Sequence, residues 1–274
     1  MLRLRTLSAL VLVPIVAAFV YLGGWPFLAF VVCLALLGAY EIGRMLRGAD
    51  LSANWLALLG FALWPLASAY GPAWHLDRWV PVFVLLGSLI WAVLSPRTPQ
   101  RGLSSWGLSV AGGLYLGWPL SYFVLLRQAS TESALAGWEA GVLWLALVFA
   151  GTWATDTGAY FVGRWLGRHR LCPRLSPAKT WEGALGGVAC AIVVAVIMGP
   201  VVGFSPQASV LVGLLLAGAA IVGDLAESWL KRAFGAKDTS GLIPGHGGVL
   251  DRLDSLLFTS VLVYYLGPGG PWLL

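Results

Sequence analysis

The stretch ASVLVGLLLAGAAIVGDLAESWLKR, residues 208–232, decides the class of fold. Charged residues occur in it only from Asp224 onward. A helix needs about 20 mostly apolar residues to cross the hydrocarbon layer of a bilayer. The stretch therefore predicts a membrane-spanning helix whose last turns are charged.

The composition of the whole chain agrees with a membrane protein. Of its 274 residues, 59% are hydrophobic and 11% are charged, whereas a soluble domain averages about 25% charged residues. Disordered chains need low hydrophobicity, so disorder is excluded. Too few charges remain to cover a water-facing surface, which argues against a soluble enzyme. The 35 glycines and 15 tryptophans are typical of a helical membrane bundle.

The hydropathy pattern predicts an all-α, polytopic integral membrane helix bundle with about nine transmembrane helices. We expect one membrane domain over residues 1–274, with generic helices in 1–150 and the catalytic helices and cytoplasmic loops in 151–274. The segment Gly117-Trp118-Pro119 predicts a kink or a break in the fifth span. The predicted spans cover residues 7–22, 26–43, 53–70, 79–95, 103–126, 138–162, 183–203, 208–230 and 255–267.

The basic residues are separated between the two sides of this topology. All but Arg78 and Arg127 of the 17 lysines and arginines fall on the side of the amino terminus. Positively charged loops stay in the cytoplasm, so we expect the amino terminus and the basic connections on the cytoplasmic side of the membrane. The net charge of +5 then reflects topology, and no nucleic-acid partner is expected.

The first 150 residues offer no catalytic motif. Their acidic residues lie at predicted span ends or in connections, where we expect solvated helix caps. Glu41 and Arg44 are spaced i, i+3, which predicts a local ion pair on one helix. The acids of this half are Glu41, Asp50, Asp77, Glu132 and Glu139.

Two polar segments precede the quoted stretch. Asp156 lies near the cytoplasmic end of the sixth span, and an ionisable group at that depth indicates a functional site. A carboxylate hydrogen-bonded to its threonine neighbours is the alternative. The segment Ser176-Pro-Ala-Lys179-Thr180-Trp-Glu182-Gly follows in a basic loop. Its lysine and hydroxyl can bind phosphate, and Glu182 opens the next helix.

The densest cluster of charged residues runs from 223 to 255. Asp251 and Asp254 open the ninth span with the spacing i, i+3, and a basic, glycine-rich loop precedes them. Two helices therefore bring carboxylates to one membrane boundary. On the eighth span, the spacing i, i+3, i+4 and i+7 gives one helix face to Asp224, Glu227, Ser228 and Lys231.

Carboxylates on two helices beside such a loop indicate a metal and phosphate site. Mg²⁺ takes oxygen ligands and commonly bridges to substrate phosphates. Glycine lets backbone N–H groups approach an anion, and lysine and arginine neutralise its oxygens. Ion pairs within the cluster are the structural alternative, and a loop cap is the structural alternative for His246. No Walker pattern or zinc-type His/Cys spacing occurs.

The cluster reads Ser228-x-x-Lys231-Arg232, Lys237-Asp238-x-Ser240 and Ile243-Pro244-x-His246-Gly247-Gly248-x-x-Asp251-Arg252-Leu253-Asp254. Over these residues the chain resembles the phosphatidate cytidylyltransferases, also called CDP-diacylglycerol synthases, without a departure from their signature. The segment Asp156-Thr-Gly-Ala-Tyr160 and residues 176–183 are similar to family segments in the same order.

The resemblance implies a nucleotidyltransferase of phospholipid biosynthesis that converts CTP and phosphatidate into CDP-diacylglycerol and diphosphate, with Mg²⁺ as cofactor. It also implies a bacterial inner (cytoplasmic) membrane, with the active site facing the cytoplasm. Asp224 and Asp251 are the first choices for metal ligands, followed by Asp254, Glu227 and Asp156, and a second cation is left open. Catalysis is assigned to Asp224, Asp251, Lys231 and Arg252. The residues assigned to substrate phosphates are Ser176, Lys179, Thr180, Lys231, Arg232, Lys237, His246, Gly247, Gly248 and Arg252.

Two other functions stay open on the sequence alone. A CTP-dependent lipid-alcohol kinase would transfer the γ-phosphoryl group of CTP. An ion-coupled transporter would carry its charges near the membrane midplane on broken helices, whereas most charges here lie at one predicted face. Membrane lipid is a partner in each case, and a homodimer through small-residue helix faces is left open.

Overall fold

The computed structural model describes residues 2–96, 98–130, 137–243 and 247–270, and within these the side chains other than those of 2–9 and 71–74. In this part of the chain, helices alternate with short connections, as expected for an all-α membrane protein. The helices are α1 (Leu2–Leu22), α2 (Gly24–Gly48), α3 (Trp55–Ala62), α4 (Trp64–Trp74), α5 (Leu76–Leu94), α6 (Pro99–Gln128), α7 (Ala140–Leu166), α8 (Trp181–Met198), α9 (Pro206–Ala233) and α10 (Leu250–Leu266).

The hydropathy of these helices confirms the membrane class. Among the described residues, six helices are long and apolar enough to cross a bilayer: α2, α5, α6, α7, α8 with the 3₁₀ turn that follows it, and α9. Each of the other three predicted spans contains helix, but Leu10–Leu22 and Trp55–Tyr70 are shorter apolar segments and α10 has 17 residues. The count of nine spans and the inside amino terminus stay predictions.

The chain divides into two compact units, and each is described by itself. Unit 1 comprises Met1–Leu125 and Lys231–Arg252, and unit 2 comprises Leu126–Leu230 and Leu253–Leu274. The last turn of α9 and the first turn of α10 therefore belong to unit 1, and the remainder of both helices belongs to unit 2.

In unit 1, the predicted span 53–70 is wrong as a single helix. Helix α3 ends at Ala62, and α4 begins at Trp64 with a proline in its first turn. Pro65 has no N–H to continue the hydrogen-bond ladder of α3, but the first turn of a new helix tolerates it. The start of α3 is fixed by Asn54, whose Oδ1 accepts a 3.1 Å hydrogen bond from Ala57 N.

Helix α6 is continuous across Pro119, so of the predicted kink or break at residues 117–119 the break is wrong and the kink stays a prediction. In a membrane helix, neighbouring groups can hydrogen-bond to the backbone carbonyl that a proline leaves without its usual N–H partner. Gly117 brings α6 against α3 so closely that a Cβ there would overlap the carbonyl oxygen of Phe61. The missing side chain therefore serves helix packing.

Unit 2 contains a two-stranded antiparallel hairpin where the sequence predicts only a basic loop. Strand β1 (Arg170–Cys172) pairs with β2 (Ser176–Thr180). The hairpin leads directly into α8, because β2 ends at the residue that caps this helix. Hydrogen bonds join the helices of the unit: Thr152 and Thr259 hydroxyls lie 2.9 Å apart, and Ser255 Oγ donates to Ala220 O at 3.0 Å.

Candidate active site

Asp251 is the centre of the polar cluster in unit 1. Its Oδ1 accepts a 2.6 Å hydrogen bond from Lys231 Nζ, and the two side chains form an ion pair. Its Oδ2 accepts from Thr239 N at 3.0 Å, from Thr239 Oγ1 at 2.8 Å and from Gly248 N at 2.8 Å. Both carboxylate oxygens are therefore held by groups of this unit.

The glycines of the loop are needed for this close approach. Gly247 has a positive φ of 79°, and a Cβ at that position would lie 2.7 Å from Asp251 Oδ2. The loop is closed by an isolated bridge in which Ile243 N donates to Gly247 O at 2.8 Å. Asp251 sits in the first turn of α10, where the positive end of the helix dipole favours a carboxylate. His246 lies outside the described residues.

Glu41, on α2, is a functional candidate that the sequence prediction missed. Its side chain is completely buried in unit 1. Oε1 accepts hydrogen bonds from Ser240 Oγ and, at 2.9 Å, from Val249 N. Oε2 accepts from Thr239 Oγ1 at 3.2 Å and from Leu250 N at 2.9 Å. A residue of the amino-terminal half thus holds both ends of the stretch 239–250, which lies within the signature.

The predicted role of Glu41 as a solvated cap paired with Arg44 is therefore wrong. Its carboxylate is bonded to the carboxy-terminal segment, and Arg44 is exposed. Burial of a carboxylate costs free energy unless it is hydrogen-bonded. The four hydrogen bonds to Glu41 compensate this cost, which an ion pair with Arg44 at the surface would not have incurred. The available signal was the position of an ionisable residue within the apolar run 26–43, which by default indicates a functional site. Glu132 lies outside the described residues.

In unit 2, Lys179 and Asp224 form an ion pair that joins strand β2 to helix α9. The two side chains are 23% and 33% exposed, so the pair is partly withdrawn from solvent. The sequence assigned Lys179 to phosphate and Asp224 to metal in separate motifs. The structure brings these two predicted residues together.

Thr180 and Glu182 shape the junction between the hairpin and α8. Thr180 Oγ1 accepts a 3.1 Å hydrogen bond from Gly183 N and so caps the helix. The hydroxyl proton stays available, since a hydroxyl both accepts and donates. Glu182 accepts from the backbone N–H groups of Arg168 and His169 at 3.1 and 3.2 Å and contacts His169 Nδ1 at 2.6 Å. Glu182 therefore fastens the start of the hairpin.

The remaining predicted carboxylates of unit 2 lie in different environments. Helix α9 meets α10 at Gly223, where a Cβ would lie 2.7 Å from the backbone oxygen of Asp254. Asp224 follows this crossing directly, and the side chain of Asp254 is half-buried. Glu227 is 2% exposed, whereas Asp156 is exposed on α7. At this crossing, the backbone of α9 beside Asp224 packs against the backbone of α10 at Asp254, and both aspartates are predicted metal ligands.

The predicted phosphate contacts differ in accessibility. Ser176 is half-buried at the start of β2. In unit 1, three exposed basic side chains add to the positive charge of Lys231: Arg232, Lys237 and Arg252. Arg232 donates a hydrogen bond to Ala236 O at 3.3 Å. Gly248 is buried, and its N–H is already bonded to Asp251.

The donor chemistry suits Mg²⁺, although the carboxylates do not form one large cluster. In the described part of the chain, no three His, Cys, Asp or Glu side chains lie together as a metal site. Mg²⁺ is often held by one or two carboxylates plus substrate phosphates and water. Asp224 follows the α9–α10 crossing of unit 2 and the backbone of Asp254 lies at it, and both side chains supply the oxygen donors that Mg²⁺ requires. The full five-carboxylate ligand set and its second cation stay predictions.

The Lys179–Asp224 and Lys231–Asp251 contacts are ion pairs within the chain, which is the structural alternative to a metal and phosphate site. The same side chains also carry the charges that a phosphate and a Mg²⁺ ion require. Pairing within the chain and binding of a substrate therefore compete for Lys179, Lys231 and their aspartates.

The apolar helices and these lysine–carboxylate pairs define a polytopic membrane protein with polar groups suited to phosphate chemistry. A family model described as "Cytidylyltransferase family" matches residues 3–267. The chain therefore belongs to the cytidylyltransferase family, as the resemblance at residues 228–254 predicts.

Relatives of similar length carry the name "Phosphatidate cytidylyltransferase". The protein of Synechocystis sp. is 34% identical, with 95% of this chain and 94% of the relative covered. The protein of Brucella suis biovar 1 is 34% identical, with 97% and 93% covered. The protein of Staphylococcus aureus (strain COL) is 32% identical, with 96% and 98% covered.

Proposed function

We propose that this chain transfers the cytidylyl group of CTP to phosphatidate and forms CDP-diacylglycerol and diphosphate. The observation that carries the proposal is the nearly complete coverage of residues 3–267 by the cytidylyltransferase family. Three relatives with the corresponding name, similar over more than nine-tenths of their length, support it. The enzyme is accordingly a nucleotidyltransferase of phospholipid biosynthesis.

In the proposed reaction, an oxygen of the phosphatidate phosphate attacks the α-phosphorus of CTP. A new P–O–P linkage forms, the bond from the α-phosphorus to the oxygen bridging to the β-phosphate breaks, and diphosphate leaves. A phosphate monoester is already an anion at neutral pH, so no general base is required. Positioning and charge neutralisation then supply most of the catalysis.

The lysine–aspartate pairs supply the charges for this reaction. Lys179 and Lys231 neutralise substrate phosphates, and the exposed Arg232, Lys237 and Arg252 extend the basic surface. Mg²⁺, when bound, would neutralise the phosphate oxygens on which negative charge develops. Its first proposed ligands are Asp224 and Asp251, followed by Asp254, Glu227 and Asp156. Lys231 orients Asp251 and compensates its negative charge through the 2.6 Å contact.

The membrane setting fits the two substrates. A lipid phosphate lies at the headgroup level and CTP arrives from the cytosol, so both meet at the cytoplasmic face of the inner membrane. The positively charged connections favour that orientation. Small residues on the helix faces leave a homodimer as a further proposal.

Labelled CTP tests the reaction directly. Purified protein with Mg²⁺, phosphatidate and, in a parallel reaction, a lipid alcohol such as diacylglycerol should transfer ³²P to lipid from α-labelled CTP in the presence of phosphatidate, and not from γ-labelled CTP in either reaction. Lipid labelled only by γ-³²P would establish the kinase instead. No labelled lipid from either nucleotide, in a preparation shown to be folded, would contradict both enzymes and leave the ion-coupled transporter.

A further inference from the structure

Glu41 caps helix α10 from a distant part of the chain. The first N–H groups of a helix have no partner within the helix. Here the N–H groups of Val249 and Leu250 each donate to one oxygen of Glu41 at 2.9 Å. The acid lies on α2, more than 200 residues earlier in the sequence, and is completely buried. The position of the first turn of α10 therefore depends on α2.

Thr239 connects this cap with the predicted metal ligand. Its hydroxyl oxygen lies 2.8 Å from Asp251 Oδ2 and 3.2 Å from Glu41 Oε2. A hydroxyl carries a single proton, so the two carboxylates share one donor. Thr239 is 4% exposed, which leaves water little access to replace it. The orientation of Asp251 is thus coupled to the presence of Glu41.

We propose that Glu41 and Thr239 are positioning residues of the cytidylyltransferase reaction, which hold Asp251 and, through it, Lys231 in the orientation that serves the substrates. The role rests on the proposed function. Both side chains are buried, and they are proposed to act through Asp251 and not by contact with the reacting phosphates. Glu41 fixes the start of α10, Thr239 passes that constraint to Asp251 Oδ2, and Asp251 Oδ1 fixes the Lys231 ammonium group.

Glu41→Gln is the sharpest substitution because it keeps the shape of the side chain. Val249 and Leu250 donate to different oxygens of Glu41. Whichever way the glutamine amide is turned, its NH₂ group faces one of these N–H donors. Thr239→Val is the second variant, since it removes the shared hydroxyl at equal volume, and Thr239→Ser restores it. Asp77→Asn, an acid-to-amide change at an exposed position of α5, is the matched control.

We expect Glu41→Gln and Thr239→Val each to lower kcat/KM by about 10-fold or more. The KM for CTP or the Mg²⁺ concentration at half-maximal rate should shift as well. The double variant should lose less than the product of the two effects, because both act through one hydroxyl. Thr239→Ser should recover most of the loss.

A merely structural role would give a different result. It would lower the amount of active protein and hence the maximal rate, with the CTP and Mg²⁺ dependences unchanged. That outcome, or wild-type kinetics in Thr239→Val, overturns the proposal, and Thr239→Val decides the matter if Glu41→Gln does not fold.

Hydrogen–deuterium exchange separates this proposal from the proposed function. In Glu41→Gln, the amides of residues 249–250 should exchange faster, and in Asp77→Asn they should exchange as in the wild type. If the wild-type protein makes no CDP-diacylglycerol, the proposed function fails although the exchange result still reports on the cap. Unchanged exchange in Glu41→Gln overturns the positioning role even in an active enzyme.

Discussion

The Lys231–Asp251 and Lys179–Asp224 ion pairs are withdrawn from solvent to different degrees. The Asp251 and Lys231 side chains are 7% and 14% exposed, whereas those of Asp224 and Lys179 are 33% and 23% exposed. An uncompensated buried ion costs several kcal/mol, so each charge stabilises its partner in the Lys231–Asp251 pair, and solvent weakens this dependence in the Lys179–Asp224 pair. A substitution that removes one charge acts on the other as well, and rates must be compared at equal amounts of folded protein.

Asp224→Asn and Asp251→Asn should each lower kcat/KM by about 100-fold or more, because each removes a charge proposed to hold Mg²⁺ while the side-chain shape is kept. The measurement is CDP-diacylglycerol formation over a range of Mg²⁺ concentrations in purified, folded protein. Asp77→Asn again serves as the control. Retained activity with an unchanged Mg²⁺ dependence would show that these two carboxylates are not the metal ligands.

Thr180 is predicted to have a structural and a substrate role at the start of α8. Thr180→Ala removes the acceptor of Gly183 N, so the free energy of unfolding should fall by about 1 kcal/mol. It also removes the hydroxyl donor proposed for phosphate, so the KM for CTP or phosphatidate should rise. Thermal unfolding and kinetics of Thr180→Ala and Thr180→Ser test both parts. An unchanged KM in Thr180→Ala would contradict the phosphate-binding role and leave Thr180 only its role as the cap of α8.

At the scale of helices, the crossing of α6 and α3 in unit 1 depends on one glycine. Gly117→Ala would place a methyl group against the carbonyl of Phe61, and such overpacking costs about 1–3 kcal/mol. Gly107 lies on the same helix with no atom near its would-be Cβ, so Gly107→Ala should gain up to about 1 kcal/mol from helix propensity. Thermal unfolding in detergent should rank the wild type between the two variants. The reverse order would exclude the packing role of Gly117.

Most helices could be predicted from hydropathy because a chain in lipid must satisfy its backbone groups within each helix. The break after Ala62 could not, because the apolar composition continues across Pro65. The hairpin was missed because its strands have only three and five residues. That length is too short for an alternating pattern to be distinguished from a basic loop.

The site could be predicted as far as the motif residues themselves. The i, i+3 spacings place Asp224 and Glu227 on α9 and Asp251 and Asp254 on α10, as expected. Pairings between segments, such as Lys179 with Asp224, are not encoded in any local spacing. Glu41 is the extreme case, since its hydrogen-bond partners are about 200 residues away. Local periodicity carries no information on contacts of that separation.

At the scale of the whole molecule, the distribution of lysine and arginine predicts which connections face the cytoplasm. If the basic connections are cytoplasmic, the hairpin lies inside the cell and the connection before α9 lies outside. Cys172 lies in β1, and only two other cysteines, Cys33 and Cys190, need replacement by serine to make it the sole thiol. Cys172 can therefore report on which side of the membrane the hairpin lies.

In cells that carry this single-cysteine variant, a membrane-impermeant maleimide should label Cys172 only after permeabilisation. Gln207→Cys in a cysteine-free background, an exposed position in the first turn of α9, should be labelled in intact cells. The two reporters must respond oppositely, because one predicted span separates them and the positive charge lies on the Cys172 side. Labelling of Cys172 in intact cells would reverse the orientation, and Lys179, which is proposed to bind substrate phosphate, would then lie on the side of the membrane away from cytosolic CTP.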